Sequence, residues 1–133
     1  MNFHFNPARG LIRVEVVVSG PIGNAVVQLA LDTGATATLI GLDPLRLAGY
    51  DPTAVGQPMQ ITTGSGTAQA SRLSITSLTA LGHTRLNFPV VAHNLPSRSS
   101  VDGVLGLDFF RGHILTIDFV KGEIALTAGG PTP

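Results

Sequence analysis

Glycine and proline divide this chain into short apolar segments, and that division constrains the fold more than any other feature. Sixteen glycines and nine prolines separate runs that are rich in Val, Ile, Leu and Thr. Short β-branched runs between turn residues are typical of strands, whereas a helix needs a longer stretch with helical periodicity. The sequence therefore predicts an all-β chain.

The predicted strands follow one another with short connections. They cover residues 11–18, 25–31, 37–40, 59–63, 67–78, 84–92, 114–120 and 123–127. The strand over 25–31 is mostly apolar, so we expect both of its faces to be buried. A short helix is predicted over 43–49, with Asp43 as its N-cap and Gly49 at its end, and a helical turn is predicted to start at Asp108 as its cap.

The length and composition predict one domain. The chain has 133 residues, with no repeat and no linker, so we predict a single domain over 1–133 with a core of about 11–127 and a frayed tail from Gly129. Aromatic residues make up only 5 % of the chain, so its core must be mainly aliphatic.

Charge and cysteine content exclude several classes of function. The net charge is zero and 12 % of residues are charged, which argues against a nucleic-acid partner or an anionic membrane surface. The chain has no cysteine, so it forms no disulfide and no thiolate zinc site. It shows no signal peptide and no apolar run that could span a bilayer, so we expect it to be soluble as given, without membrane contact of its own. Its compartment, and any leader or anchor removed from it, stay open.

Asp32 is the first candidate for chemistry, in the run Leu31-Asp32-Thr33-Gly34-Ala35. A carboxylate at the end of an apolar strand is costly to bury unless hydrogen bonds hold it, and Gly34 lets backbone N–H groups approach it. A rigidly held catalytic acid would fit this pattern. The tripeptide alone is nevertheless better explained by an Asp that caps a turn.

Two later elements change that interpretation. Gly64-Ser65-Gly66 lies between two predicted strands and predicts a hairpin with a flexible tip. Further on comes Gly103-Val104-Leu105-Gly106-Leu107-Asp108-Phe109-Phe110, an apolar pair followed by glycine and a short helix. In this order, the motifs resemble the retropepsin-like aspartic proteases over nearly the whole chain, and the second motif is more similar to the prokaryotic members than to the viral ones.

The resemblance implies a closed retropepsin-like β-barrel with a flap hairpin and one or two short helices. It also implies an aspartic endopeptidase without a cofactor or metal, acting on a polypeptide as a homodimer, because one chain has a single Asp-Thr-Gly. Asp32 would be the catalytic carboxylate, supported by Thr33, Gly34 and Ala35. The remaining implied site residues are the flap tip (Thr63, Gly64, Ser65, Gly66, Thr67 and Ala68) and the cleft lining (Thr36, Val104, Leu105 and Gly106).

The chain departs from its relatives at three positions. Viral enzymes carry a paired Asp and Arg where this sequence has Thr36 and Leu107, so we expect a dimer that is not held together by the contacts which that pair supports. Pepsin-like relatives often have Ser where this chain has Ala35, which cannot donate a hydrogen bond to the carboxylate. We therefore predict activity at weakly acidic pH.

The histidines and the other acidic residues give weaker indications of function. The four histidines have no metal-ligand spacing and fit surface or turn positions. Asp102 flanks the glycine motif, and Asp118 and Glu123 fit solvated strand and turn positions. Two alternatives to an enzyme stay open: a retropepsin-like dimer that serves binding or assembly with weak or no proteolysis, and a regulatory domain of a longer chain.

Overall fold

A computed structural model describes residues 1–64, 66–96 and 99–129. Within these residues the chain forms ten strands and three short helices. In chain order they are β1 (Phe3–His4), β2 (Arg13–Gly20), β3 (Gly23–Leu31), β4 (Leu39–Gly41), α1 (Leu42–Leu47), α2 (Pro52–Val55), β5 (Gln57–Thr63), β6 (Gly66–Ala80), β7 (His83–His93), β8 (Gly103–Leu105), α3 (Leu107–Phe110), β9 (His113–Asp118) and β10 (Glu123–Ala128).

Seven strands form one sheet in the order β2-β3-β8-β4-β7-β6-β5, and β2 also pairs with β6. That extra pairing closes six of the strands into a barrel and leaves β5 outside, paired only with β6 among the described residues. The β3–β8 and β4–β7 pairs are parallel, and the others are antiparallel. The predicted all-β barrel is confirmed, with three helices instead of one or two.

A second sheet of three strands, β1-β10-β9, carries the two ends of the chain. β9 and β10 form the predicted last hairpin, in the register Glu123↔Asp118 to Ala128↔His113. β1 pairs with β10 through two residues only and was not predicted, because Phe3 and His4 are too short a run to stand out. Of the tail predicted from Gly129, residues 130–133 lie outside the described residues.

The core fills the barrel with aliphatic side chains, as the low aromatic content predicts. Val16, Leu29, Ile40 and Leu105 are fully buried, and Phe109 is the largest fully buried side chain. Phe109 meets Phe88 and Phe110 in edge-to-face contacts, an arrangement that aromatic rings favour. Residues of α3 thus join the barrel core directly after the glycine motif.

The prediction that 25–31 is buried on both faces is wrong. Burial alternates along β3, and Val26 is 61 % exposed. The strand lies in the wall of a small barrel, so its inward residues are covered by the core and the outward ones face solvent. An apolar sequence run cannot distinguish this case from a strand between two layers.

The prediction of Asp43 as an N-cap is also wrong. α1 begins at Leu42 and its cap is Gly41, which has no side chain to donate or accept a bond. Asp43 lies in the first turn and reaches Arg46 at 3.8 Å, an exposed pair of little energetic weight. The short helix α2 was not predicted, and no helix in the described part of the chain is long and apolar enough to cross a membrane.

Candidate active site

The Asp32 loop starts where β3 leaves the barrel. Leu31 pairs with Leu105, and the Asp32 amide donates to the Leu105 carbonyl at 3.0 Å. The Gly34 amide donates to Asp32 Oδ1 at 2.9 Å, so the glycine holds the carboxylate as its position in the tripeptide suggested. Asp32 itself is partly exposed.

Gly106 lies directly beneath this loop. A Cβ atom on Gly106 would come within 2.7 Å of the Ala37 carbonyl and 2.9 Å of the Ala35 oxygen. The neighbouring Leu107 amide donates to that Ala35 oxygen at 2.8 Å. The glycine motif and the Asp32 loop are therefore in backbone contact, and only glycine leaves enough room between them.

Asp108 links these two segments through hydrogen bonds. It is not a helix cap, which corrects the sequence prediction. The cap of α3 is Gly106, and no side chain bonds to it. Asp108 accepts hydrogen bonds from the Thr38 amide at 3.0 Å and from the Thr38 hydroxyl at 2.7 Å. The same hydroxyl accepts from the Gly106 amide at 3.1 Å, and Thr38 is completely buried.

Sequence reasoning missed Thr38, although one signal was available. It is the only polar residue of the predicted apolar strand 37–40. A buried hydroxyl requires a partner, so its presence there indicates a hydrogen-bonded network. The partner could not be read from the sequence, since Asp108 is 70 positions away.

The flap prediction corresponds to the β5–β6 hairpin. The two strands pair from Gln57↔Arg72 up to Thr63↔Gly66, beyond the point where β6 leaves β7 at the Ser71↔Ala92 pair. The end of the hairpin therefore extends away from the barrel wall. Gly64, Gly66 and Thr67 are exposed there, Ala68 is partly buried, and Ser65 lies outside the described residues.

A cavity of about 480 Å³ separates this hairpin from the glycine motif. Its lining includes Ile61 and Ala68 from the flap side and Leu39 and Val104 from the barrel side. Pockets of this size hold small ligands or single side chains. Val104 therefore lies in the lining of this cavity, whereas Leu105 and Gly106 are buried behind it.

The remaining predicted site residues lie on the surface of the Asp32 loop. Thr33 and Thr36 are exposed, and neither hydroxyl bonds to any residue that the structure describes. Neither contributes to the cavity, so the structure brings Thr36 next to the catalytic loop but not into the cleft lining.

Arg85 is a further contact that the sequence did not indicate. Its guanidinium donates to the carbonyl oxygens of Phe109 and Arg111, both at 2.6 Å, and approaches His113 Nδ1 at 3.1 Å. It thus caps the C-terminal end of α3 from β7, where a cation also complements the helix dipole. No group of three or more potential metal ligands lies together within the described ranges.

Two comparisons show which known proteins this chain is similar to. A family model described as aspartyl protease matches residues 14–109. The crystal structure of a retropepsin-like aspartic protease from Rickettsia conorii superposes with a TM-score of 0.67, covering 99 % of this chain and 92 % of that chain at 18 % identity. That likeness shows a shared fold. No curated protein sequence matches the chain.

Proposed function

This chain belongs to the aspartyl protease family, in its retropepsin-like branch, and from that premise we propose that it is an aspartic endopeptidase acting on polypeptides. The observation that carries the proposal is the partly exposed Asp32, whose carboxylate accepts from the Gly34 amide and whose own amide bonds to Leu105, next to Val104 in the lining of the cavity beneath the flap hairpin. A binding module would have no chemical need for such an acid.

The catalytic pair is completed by a second copy of the chain. One chain supplies one Asp-Thr-Gly, so a two-fold axis beside Asp32 would bring two identical carboxylates together. Thr33 supports this arrangement, because its exposed hydroxyl is available to the facing loop of the partner. The network of Thr38, Gly106 and Asp108 would keep each carboxylate at a constant position relative to that axis.

The proposed chemistry is general acid–base hydrolysis. Two carboxylates about 3 Å apart share one proton, since both cannot be ionised at that separation. The ionised carboxylate takes a proton from a water molecule as its oxygen attacks the scissile carbonyl carbon, and the protonated one donates to the carbonyl oxygen. As the tetrahedral intermediate collapses, the C–N bond breaks and the leaving nitrogen takes up the proton that the first carboxyl group received from water. The second carboxylate takes a hydroxyl proton from the intermediate as the new carboxyl group forms, which restores the shared-proton pair. No covalent enzyme intermediate forms.

Cleavage of a peptide library tests the proposal. Asp32→Asn is expected to lower the rate by roughly 10²–10⁴-fold, because the amide can neither accept nor supply the proton. Asp51→Asn is the matched control, since this exposed carboxylate bonds only to the hydroxyl of Thr53 among the described residues. Equal cleavage by wild type and Asp32→Asn would favour the binding or assembly alternative.

The dimer requires its own experiment. Specific activity should rise with protein concentration in step with the dimer fraction from sedimentation velocity. Mixing wild type with excess Asp32→Asn should suppress activity, because mixed dimers hold only one functional acid. A protein that is monomeric at every concentration and still cleaves through Asp32 would refute the shared pair.

A further inference from the structure

His93 stands where the flap hairpin separates from the barrel. β6 pairs with β7 as far as Ser71↔Ala92, and His93 is the next residue of β7. Its Nδ1 atom lies 3.2 Å from the carbonyl oxygen of Gln69, on the part of β6 that continues into the hairpin. The imidazole ring is thereby tied to the base of the flap.

The ring lies in the lining of the cavity beneath the flap. The other walls of that cavity are largely apolar, with Leu39, Ile61, Val101 and Val104 among them. An apolar site with a few polar groups typically obtains its specificity from those groups. His93 is the one residue of the described lining that can carry a charge.

The bond to Gln69 determines which ring atom is available. A carbonyl oxygen can only accept, so Nδ1 must donate and carries a proton. This leaves Nε2, which bonds to no residue that the structure describes. Nε2 accepts a hydrogen bond when the ring is neutral, and it becomes a charged donor when the ring is protonated.

Among the residues that the structure describes, no carboxylate forms an ion pair with His93. Neither β4 nor β5 contains a titratable side chain. Arg72 of β6 lines a different cavity beside Tyr50. Asp43 and Asp102 line a third cavity next to the 94–101 connection. The Asp102 carboxylate accepts a hydrogen bond from the backbone amide of Gln28 at 2.9 Å.

We propose that His93 is a specificity-determining residue of this site, and that it selects polypeptides with an acidic side chain, Glu or Asp, next to the apolar residues at the scissile bond. The proposal rests on the proposed proteolytic function. In a two-fold dimer the cavity occurs twice, so the same preference applies on each side of the scissile bond.

Matched peptides that differ only by Glu or Gln at one position test this. At about pH 5.5 wild type should favour the Glu peptide by about tenfold in kcat/KM, chiefly through KM, the scale of one charge-assisted hydrogen bond. His93→Gln and His93→Phe should each reduce this preference to near unity, and the control His4→Gln should retain it.

Binding separates this inference from the proposed function. The labelled peptides are also titrated onto Asp32→Asn protein, and the ratio of their Kd values is read by fluorescence anisotropy. If the protein binds the Glu peptide preferentially but wild type cleaves neither peptide, the proposed proteolytic function is refuted and the role of His93 is not. Cleavage or binding without a Glu preference, or a preference that persists in folded His93→Phe, refutes the role of His93. Two variants are used so that misfolding of one does not decide the result.

Discussion

Replacing Thr38 by valine tests whether the buried hydroxyl holds the catalytic loop to the glycine motif. Valine has nearly the same shape as threonine, so the change leaves no cavity and removes only the hydrogen bonds. Two are lost: the donation to Asp108 at 2.7 Å and the acceptance from the Gly106 amide at 3.1 Å.

The expected loss of stability follows from these two bonds. A hydrogen bond to a charged group contributes about 1.5–3 kcal/mol, and a buried N–H left without a partner costs about 1–3 kcal/mol. Asp108 is only partly buried, so water can replace part of the first term. We therefore expect Thr38→Val to lower the free energy of unfolding by about 2–4 kcal/mol.

Urea denaturation followed by circular dichroism measures this difference. Thr116→Val is the matched control, because Thr116 is exposed on β9 and should change stability by less than about 0.5 kcal/mol. A double-mutant cycle with Asp108→Asn should give a coupling energy of about 1–2 kcal/mol. A Thr38→Val protein within about 0.5 kcal/mol of wild type, or additive effects in the cycle, would refute the network.

Three further predictions concern the site and its frame. Gly106→Ala should cost about 1–3 kcal/mol and reduce cleavage, because its methyl group would meet the backbone of Ala37, with thermal unfolding and peptide assays as the measurements. The pH–rate profile should peak in weak acid, since Ala35 cannot donate to the carboxylate, and a maximum near about pH 2 would contradict this. Hydrogen bonds from the Lys121 and Val120 amides lower the pKa of Asp118 from its ordinary value of 3.8. The ionised carboxylate therefore stabilises the folded protein above that value, and this contribution is lost as the pH falls through the lower pKa of the folded state. Asp118→Ala should therefore unfold at a lower temperature at neutral pH, and the difference from wild type should narrow in acid.

Much of the fold could be predicted because its determinants are local. Turn residues and β-branched runs indicate where strands begin and end, so the β5–β6 and β9–β10 hairpins were found close to their true bounds. The approximate position of α1 was found for the same reason, since Gly49 follows it in a left-handed conformation with φ of +102°. Its cap was not, because Asp43 and Gly41 are both acceptable cap residues by type.

The sequence by itself determined the all-β class, the Asp32 motif and the order of the elements around it, because each of these depends on residues close together in the chain. Only the tertiary structure decided what those residues touch. Asp108, predicted as a helix cap, instead accepts hydrogen bonds from Thr38, and one face of β3 is exposed. His93, interpreted from the sequence as a surface or turn residue, lies in the lining of the cavity beneath the flap hairpin. These outcomes depend on contacts between segments far apart in sequence, and barrel closure creates such contacts without leaving a local signal.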